Sequence, residues 1–269
     1  MVERPIGLAI AGSDSGGGAG IQADIKAMEA NGVYATTALA AVTAQNTREV
    51  SAVHALPPDF VEQQIDAVCG DLAVDVVKTG MLASAEIIEV VARRLRDAPT
   101  GPVVVDPVMI SKTGFPLLAK SAMTRLKEEL LPLASLVTPN VHEARALSGI
   151  EVDSVAAAKE AARAIHRMGP VAVLVKGGSL SGDERAIDTL YDGRDTRTFA
   201  APAIDTPHTH GTGCTYASAI AAHLAHGRGL LDAIERAKAY VTEAIRHALP
   251  IGGGRGPTAH FYFLDTARR

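Results

Sequence analysis

His208-Thr-His-Gly-Thr-Gly-Cys-Thr215 runs directly into apolar residues at helical spacing, Ala217, Ile220, Ala221 and Leu224, and Gly227 stands where that helix should stop. The stretch reads as a tight turn, Gly211-Thr212-Gly213-Cys214, that feeds a helix N-terminus. A helix start offers unpaired N–H groups and the positive end of the peptide dipoles. Such a place suits a phosphate or a developing negative charge. Cys214 lies in that field, where a thiol is expected to lose its proton more easily than in water. The plain alternative is a loop-to-helix junction with an inert buried cysteine, and four residues alone do not decide between them.

Working outward, apolar β-rich runs alternate with helical patterns along the whole chain. Strands are predicted near 5–11, 35–44, 74–77, 102–105, 136–138 and 171–175. A hairpin is predicted over 186–191 and 196–201 around Asp192-Gly193. Helices are predicted at 21–30, after Pro57-Pro58, at 84–96 and 121–130, after Pro139-Asn140, behind the cap Ser154, after the glycine turn and at 230–248. This alternation predicts an α/β fold with a mainly parallel sheet covered on both faces. No repeat, linker or charge block interrupts it, so residues 1–269 read as one domain. Ser13-Asp14, Gln45-Asn46, Lys78, Asp106, Asn140, Lys176 and the glycine turn all fall at predicted carboxyl ends of strands or at helix starts. Ligands of open α/β sheets bind there.

Composition excludes several functions. A net charge of -4 leaves no basic face for nucleic acid and no polybasic patch for a membrane surface. With no Trp, base-stacking platforms are not expected. Cys69 and Cys214 lie in unrelated contexts, which argues against a disulfide framework and for a reducing cytoplasm. Cys69 shares an apolar stripe with Val61, Ile65 and Val68 and is expected in the core. The run Ile6 to Ala11 is too short for a signal peptide, and no run reaches the length of a membrane span.

Two familiar phosphate loops are absent. Ser13 to Gly20 lacks the lysine of GxxxxGK[ST], and its glycines do not keep the spacing of GxGxxG. What is present is an ordered set: AGSDSGGGAGIQAD (Ala11 to Asp24), TAQNT (Thr43 to Thr47), KTGM (Lys78 to Met81), DPVM (Asp106 to Met109), TPNxxEA (Thr138 to Ala144), KGG (Lys176 to Gly178) and THGTGCT (Thr209 to Thr215). Together these resemble the hydroxymethylpyrimidine/phosphomethylpyrimidine kinases of thiamine synthesis, within the ribokinase-like superfamily. The resemblance implies a three-layer α/β/α ribokinase-like fold, ATP with Mg2+, and a homodimer. It implies phosphorylation of 4-amino-5-hydroxymethyl-2-methylpyrimidine and then of its monophosphate. Three positions depart from the family pattern: Ser179 and Arg255 where His is common, and His208 where Asn is common. Pyridoxal kinases share part of the pattern and are the alternative.

Phosphoryl transfer needs N–H donors, a cation, magnesium-binding oxygens and a group near the attacking hydroxyl. Gly211, Thr212 and Gly213 can supply the first, and the resemblance gives Cys214 the place of the catalytic base. Asp106, at a strand end beside a proline, could hold magnesium. Asn140 and Glu143 have capping-box spacing, and the resemblance adds a metal role for Glu143 and a nucleotide role for Asn140. Lys176, and more weakly Lys112, are strand-end or loop cations suited to ATP phosphates. Gln45 offers an amide donor and acceptor that can pair with a 4-aminopyrimidine edge. By resemblance Asp24, Met81, Gly12 and Val108 join the pyrimidine pocket, and Thr209 and His210 the nucleotide side. His208, His210 and Cys214 could also be spaced for zinc, but no fourth ligand is evident.

Overall fold

The computed structural model describes residues 4–97, 101–109, 117 and 121–266. The first strand, β1 (Ile6–Asp14), has apolar or small residues at successive positions rather than an alternation, so it must be covered on both sides. Leu8 and Ile10 point into one core cluster and Ala9 into another. The same split recurs along the sheet. Val77, Val103, Val105, Val137, Val173 and Val175 face the first cluster, and Val76, Val104, Leu136 and Leu174 the second.

The remaining strands are β2 (Tyr34–Gln45), β3 (Val50–Ala55), β4 (Val76–Thr79), β5 (Val103–Val105), β6 (Leu136–Val137), β7 (Val173–Val175), β8 (Ile187–Tyr191) and β9 (Thr196–Ala200). They form one nine-stranded sheet in the order β3-β2-β1-β4-β5-β6-β7-β8-β9. The centre is parallel, from β2 to β7, and β3, β8 and β9 pair antiparallel at the two ends. Among the helices, α1 is Gly20–Ala30, α2 Pro58–Cys69, α3 Ala85–Asp97, α4 Ala122–Arg125, α5 Val141–Ser148, α6 Val155–His166, α7 Thr212–Ala225, α8 Leu230–Arg246 and α9 Tyr262–Thr266. The first core cluster takes α2, α3, α5 and α6 and the second α1, α7 and α8, which gives helices on both faces of the sheet. No helix among the described residues is long and apolar enough to cross a membrane.

Local chemistry sets the helix starts that matter. Asn140 caps α5 through a complete capping box with Glu143, and Ser154 caps α6 by accepting from Ala157 N. Gly211 caps α7 in the left-handed region, at φ 75. A Cβ there would overlap the Gly18 carbonyl, so only glycine closes this turn against the loop after β1.

Four features differ from the sequence expectation. Strand β3 was not foreseen, because its mostly exposed residues carry no apolar stripe and it exists as the antiparallel partner of β2. The helix expected over 121–130 is one α-helical turn followed by π-helical Leu126–Leu130 and 3-10 Leu131–Leu133, where Pro132 has no N–H to continue the ladder. Helix α9 had no periodic signal. Cys69 is half-buried and packs against the core rather than within it.

Candidate active site

The carboxyl ends of β1, β2, β5 and β7 and the start of α7 surround one cavity of about 760 Å3. Gly211, Thr212, Gly213 and Cys214 line it beside Thr209, whose carbonyl accepts from Thr212 Oγ1 at 2.8 Å. Beneath the turn, Thr215 Oγ1 donates to the Gly211 carbonyl at 2.9 Å, so the first turn of α7 is braced from its buried side. The expectation of an easily ionised thiol does not hold for the free protein. Burial pushes the Cys214 thiol up to about 11. The charge of Lys78 and the Gly20 amide pull it down, but Asp24 and Asp106 push it up together with burial.

Next to the turn lies a second cluster. Lys176 Nζ sits 2.6 Å from Asp106 Oδ1, and Thr138 Oγ1 donates to the same oxygen at 3.1 Å. A Cβ on Gly213 would stand 3.4 Å from Lys176 Nζ and 3.8 Å from Asp106 Oδ2, so the turn passes directly over this ion pair. Burial opposes the charge of Asp106, yet Lys176 and Lys78 hold its carboxyl below the ordinary value. Glu143 differs. Burial raises it to about 7, Lys176 counteracts, and the charge of Asp106 adds to the rise. Its Oε2 accepts from Asn140 N at 2.8 Å, while Asn140 Oδ1 accepts from His142 N and Glu143 N.

The donor set fits magnesium rather than zinc. The buried carboxylates of Asp106 and Glu143 face the same cavity, and among the described residues no group of three or more His, Cys, Asp or Glu could hold a metal ion. Magnesium typically takes one or two carboxylates and completes its shell with water and phosphate oxygens. The zinc alternative finds its histidines engaged elsewhere. His208 Nδ1 accepts from Gly256 N at 3.0 Å, and His210 Nε2 lies 2.8 Å from Asp14 Oδ2.

Gln45, Met81, Gly12 and Val108 also line the cavity, with Thr43, Asp14 and His210. Met81 packs so closely over Gly12 that a Cβ there would collide with its terminal methyl. His210 was expected on the nucleotide side. It instead stands between Gln45 and Asp14, with its ring against Gly18, because the chain preceding α7 packs on the loop after β1. Asp24 also departs from expectation. It is fully buried and does not reach the cavity, and its Oδ1 pairs with the fully buried Lys78 at 2.7 Å and accepts from Ser218 Oγ at 2.7 Å. Ser218 lies one helical turn after Cys214 on α7, which places this pair behind the thiol. The remaining candidates, Lys176, Asn140, Asp106 and Glu143, all line the cavity, as do the departing positions Ser179 and Arg255. Lys112 lies outside the described residues.

Sequence reasoning missed a third group. Asp188 accepts from Gly177 N at 2.9 Å and from Lys238 Nζ at 2.6 Å, and that ammonium lies 5.8 Å from the centre of the Tyr216 ring. All three line the cavity. Their separation along the chain left no spacing to read; only the position of Asp188 in the predicted hairpin strand pointed toward the sheet end.

The family described as phosphomethylpyrimidine kinase matches residues 14–259. The chain is 52% identical over 262 residues to the thiamine biosynthesis bifunctional protein of Geobacter sulfurreducens, and it spans 53% of that protein's length. It is 50% identical over 261 residues to the hydroxymethylpyrimidine/phosphomethylpyrimidine kinase of Synechococcus elongatus, covering 97% of this chain and 98% of that one. The pyridoxal kinase of Staphylococcus aureus in complex with AMP-PCP and pyridoxal superposes with a TM-score of 0.89 at 34% identity, over 97% of this chain and 95% of that chain.

Proposed function

The chain belongs to the phosphomethylpyrimidine kinase family, and on that premise we propose how its cavity carries the reaction. The protein is an ATP-dependent kinase of thiamine biosynthesis that phosphorylates 4-amino-5-hydroxymethyl-2-methylpyrimidine and then its monophosphate. The pyrimidine sits at the Gln45 end, between Met81 and Val108. Its hydroxymethyl oxygen faces Cys214 and attacks the terminal phosphate of ATP; the new O–P bond forms as the bond to the leaving ADP breaks, and the hydroxyl proton passes to the transferred phosphoryl oxygens and on to solvent. The N–H groups of Gly211 to Cys214 face the charge that builds on the transferred group. Lys176 binds the phosphates, and Asn140 and Thr209 border the same nucleotide side. Asp106 and Glu143 would hold magnesium, which would supply positive charge against the phosphates.

A loose transition state needs little removal of the hydroxyl proton before the P–O bond forms. A thiol held up to about 11 suits that demand, because it can orient the hydroxyl without being ionised beforehand. The observation that carries the site reading is that Gln45, the turn 211–214 and the Lys176–Asp106 pair face one cavity. The whole chain then works as one catalytic domain, in the cytoplasm and as a homodimer, as the family resemblance implies.

The likeness to a pyridoxal kinase favours one second reading, in which pyridoxal is the better acceptor. Side-by-side measurement of ADP release with the pyrimidine alcohol, its monophosphate and pyridoxal separates the two. We expect the two pyrimidines to have the higher kcat/KM by at least about tenfold. A preference for pyridoxal of that size would overturn the assignment.

A further inference from the structure

The amide of Gln45 has two neighbours whose protons decide which way round it sits. One end lies 3.1 Å from Thr43 Oγ1 and the other 3.4 Å from His210 Nε2. Thr43 has a single hydroxyl proton, and the Ser13 carbonyl accepts it at 2.9 Å. Toward Gln45, therefore, Thr43 can only accept. His210 Nε2 lies 2.8 Å from Asp14 Oδ2. The Asp14 carboxylate also collects the N–H groups of Gly16, Gly18 and Ala19. Such an array favours the ionised, acceptor-only form. His210 Nε2 must then carry the ring proton, and toward Gln45 it can only donate. An amide nitrogen facing His210 would set donor against donor, and an amide oxygen facing Thr43 would set acceptor against acceptor. The opposite orientation satisfies every group: Gln45 Nε2 donates to Thr43, and Gln45 Oε1 accepts from the His210 proton shared with Asp14.

We propose that Asp14, His210 and Thr43 are positioning residues that lock the Gln45 amide with its oxygen on the His210 side, so that the pocket takes a heterocycle with an amino donor beside a ring-nitrogen acceptor in one orientation only. The inference rests on the reading that the pyrimidine binds at Gln45. One N–H and one lone pair of the locked amide remain for the ligand, in fixed order. The 4-amino group pairs with Oε1 on the His210 side, and N3 pairs with Nε2 on the Thr43 side. C5 adjoins C4 in the ring, so the hydroxymethyl group falls on the His210 side, where the turn to Cys214 begins. The reversed amide would send it toward β2 instead. Asp14 thereby sets, through His210, the direction in which the alcohol points. A 4-oxo analogue, with a proton on N3, presents the opposite order and meets like against like.

The test is kcat/KM for the 4-amino alcohol and its 4-oxo analogue in the wild type, His210→Phe, Thr43→Val and Gln45→Ala. The wild type is expected to prefer the amino compound by about 100-fold or more. His210→Phe and Thr43→Val each free the amide to turn, so each should bring that preference below about tenfold, mostly through KM. A merely structural role would lower both substrates together and leave the ratio alone. An unchanged ratio in the variants that fold overturns the proposal, and either variant alone decides it. Gln45→Ala separates the two levels. If it abolishes the preference while the other variants do not, the lock fails and the binding site stands. If it leaves the preference intact, the placement of the pyrimidine fails and takes the lock with it.

Discussion

In the proposed site Glu143 would report on metal binding through its proton. Its carboxyl titrates near 7 in the folded protein, against an ordinary 4.5. A carboxyl raised on folding contributes its stability below the unfolded value and loses it as pH rises through the folded one. A divalent cation reverses that preference, because it binds the ionised form and expels the proton. The KM for magnesium-ATP should therefore fall by about tenfold between pH 6 and pH 8, and Glu143→Gln should bind more weakly with most of that slope gone. Titrating both proteins side by side cancels the ionisation of ATP itself; an equal slope in the variant would remove Glu143 from the metal site. Cys214 adds no step in that range, its thiol standing near 11. At this scale the sequence showed which groups sit at strand ends but not what they pair with. Gln45 and the Asn140–Glu143 spacing were readable because each is local. The pairing of Lys78 with Asp24 across 54 residues and of His210 with Asp14 across 196 left no local pattern, and burial then reversed the expected ionisation of Cys214.

Elements with strong periodicity matched expectation, because their apolar faces are the core. Helix α3 and the hairpin β8–β9 lie within a residue of their predicted bounds, and α6 starts behind its predicted cap Ser154. Elements defined by a partner or by hydrogen-bond geometry were not legible: β3 needs β2, and the π-helical turn at Leu126–Leu130 is a shift in bonding, not in composition. The element on which the site turns is the start of α7. Gly211 holds φ 75 against the Gly18 carbonyl. Gly211→Ala would pay for a left-handed residue, about 1–2 kcal/mol, and would also have to push two loops apart. We expect a lower midpoint in denaturant melts and a loss of at least about 100-fold in kcat/KM, since the N–H groups would no longer converge. Wild-type values for both would mean that the turn does not organise the site.

Across the whole molecule, the parallel centre of the sheet brings residues from both ends of the chain to one edge. Thr43 and Gln45 come from β2, Asp106 follows β5, Lys176 follows β7, and Cys214 starts α7, yet all line the same cavity. Ordered motifs made that convergence readable before any distance was known. The order in which the groups stand was not readable, because it depends on how the chain before α7 packs on the loop after β1. That packing set His210 between Gln45 and Asp14, while Asp24 pairs with Lys78 behind the cavity wall. The most direct measurement is a crystal structure with the pyrimidine alcohol, a non-hydrolysable ATP analogue and magnesium. The account predicts the ring paired to Gln45, its hydroxymethyl oxygen beside Cys214, the terminal phosphate on the amides of Gly211 to Cys214, and the metal on Asp106 and Glu143. A pyrimidine bound away from Gln45, or a terminal phosphate that does not touch the 211–214 turn, would contradict it.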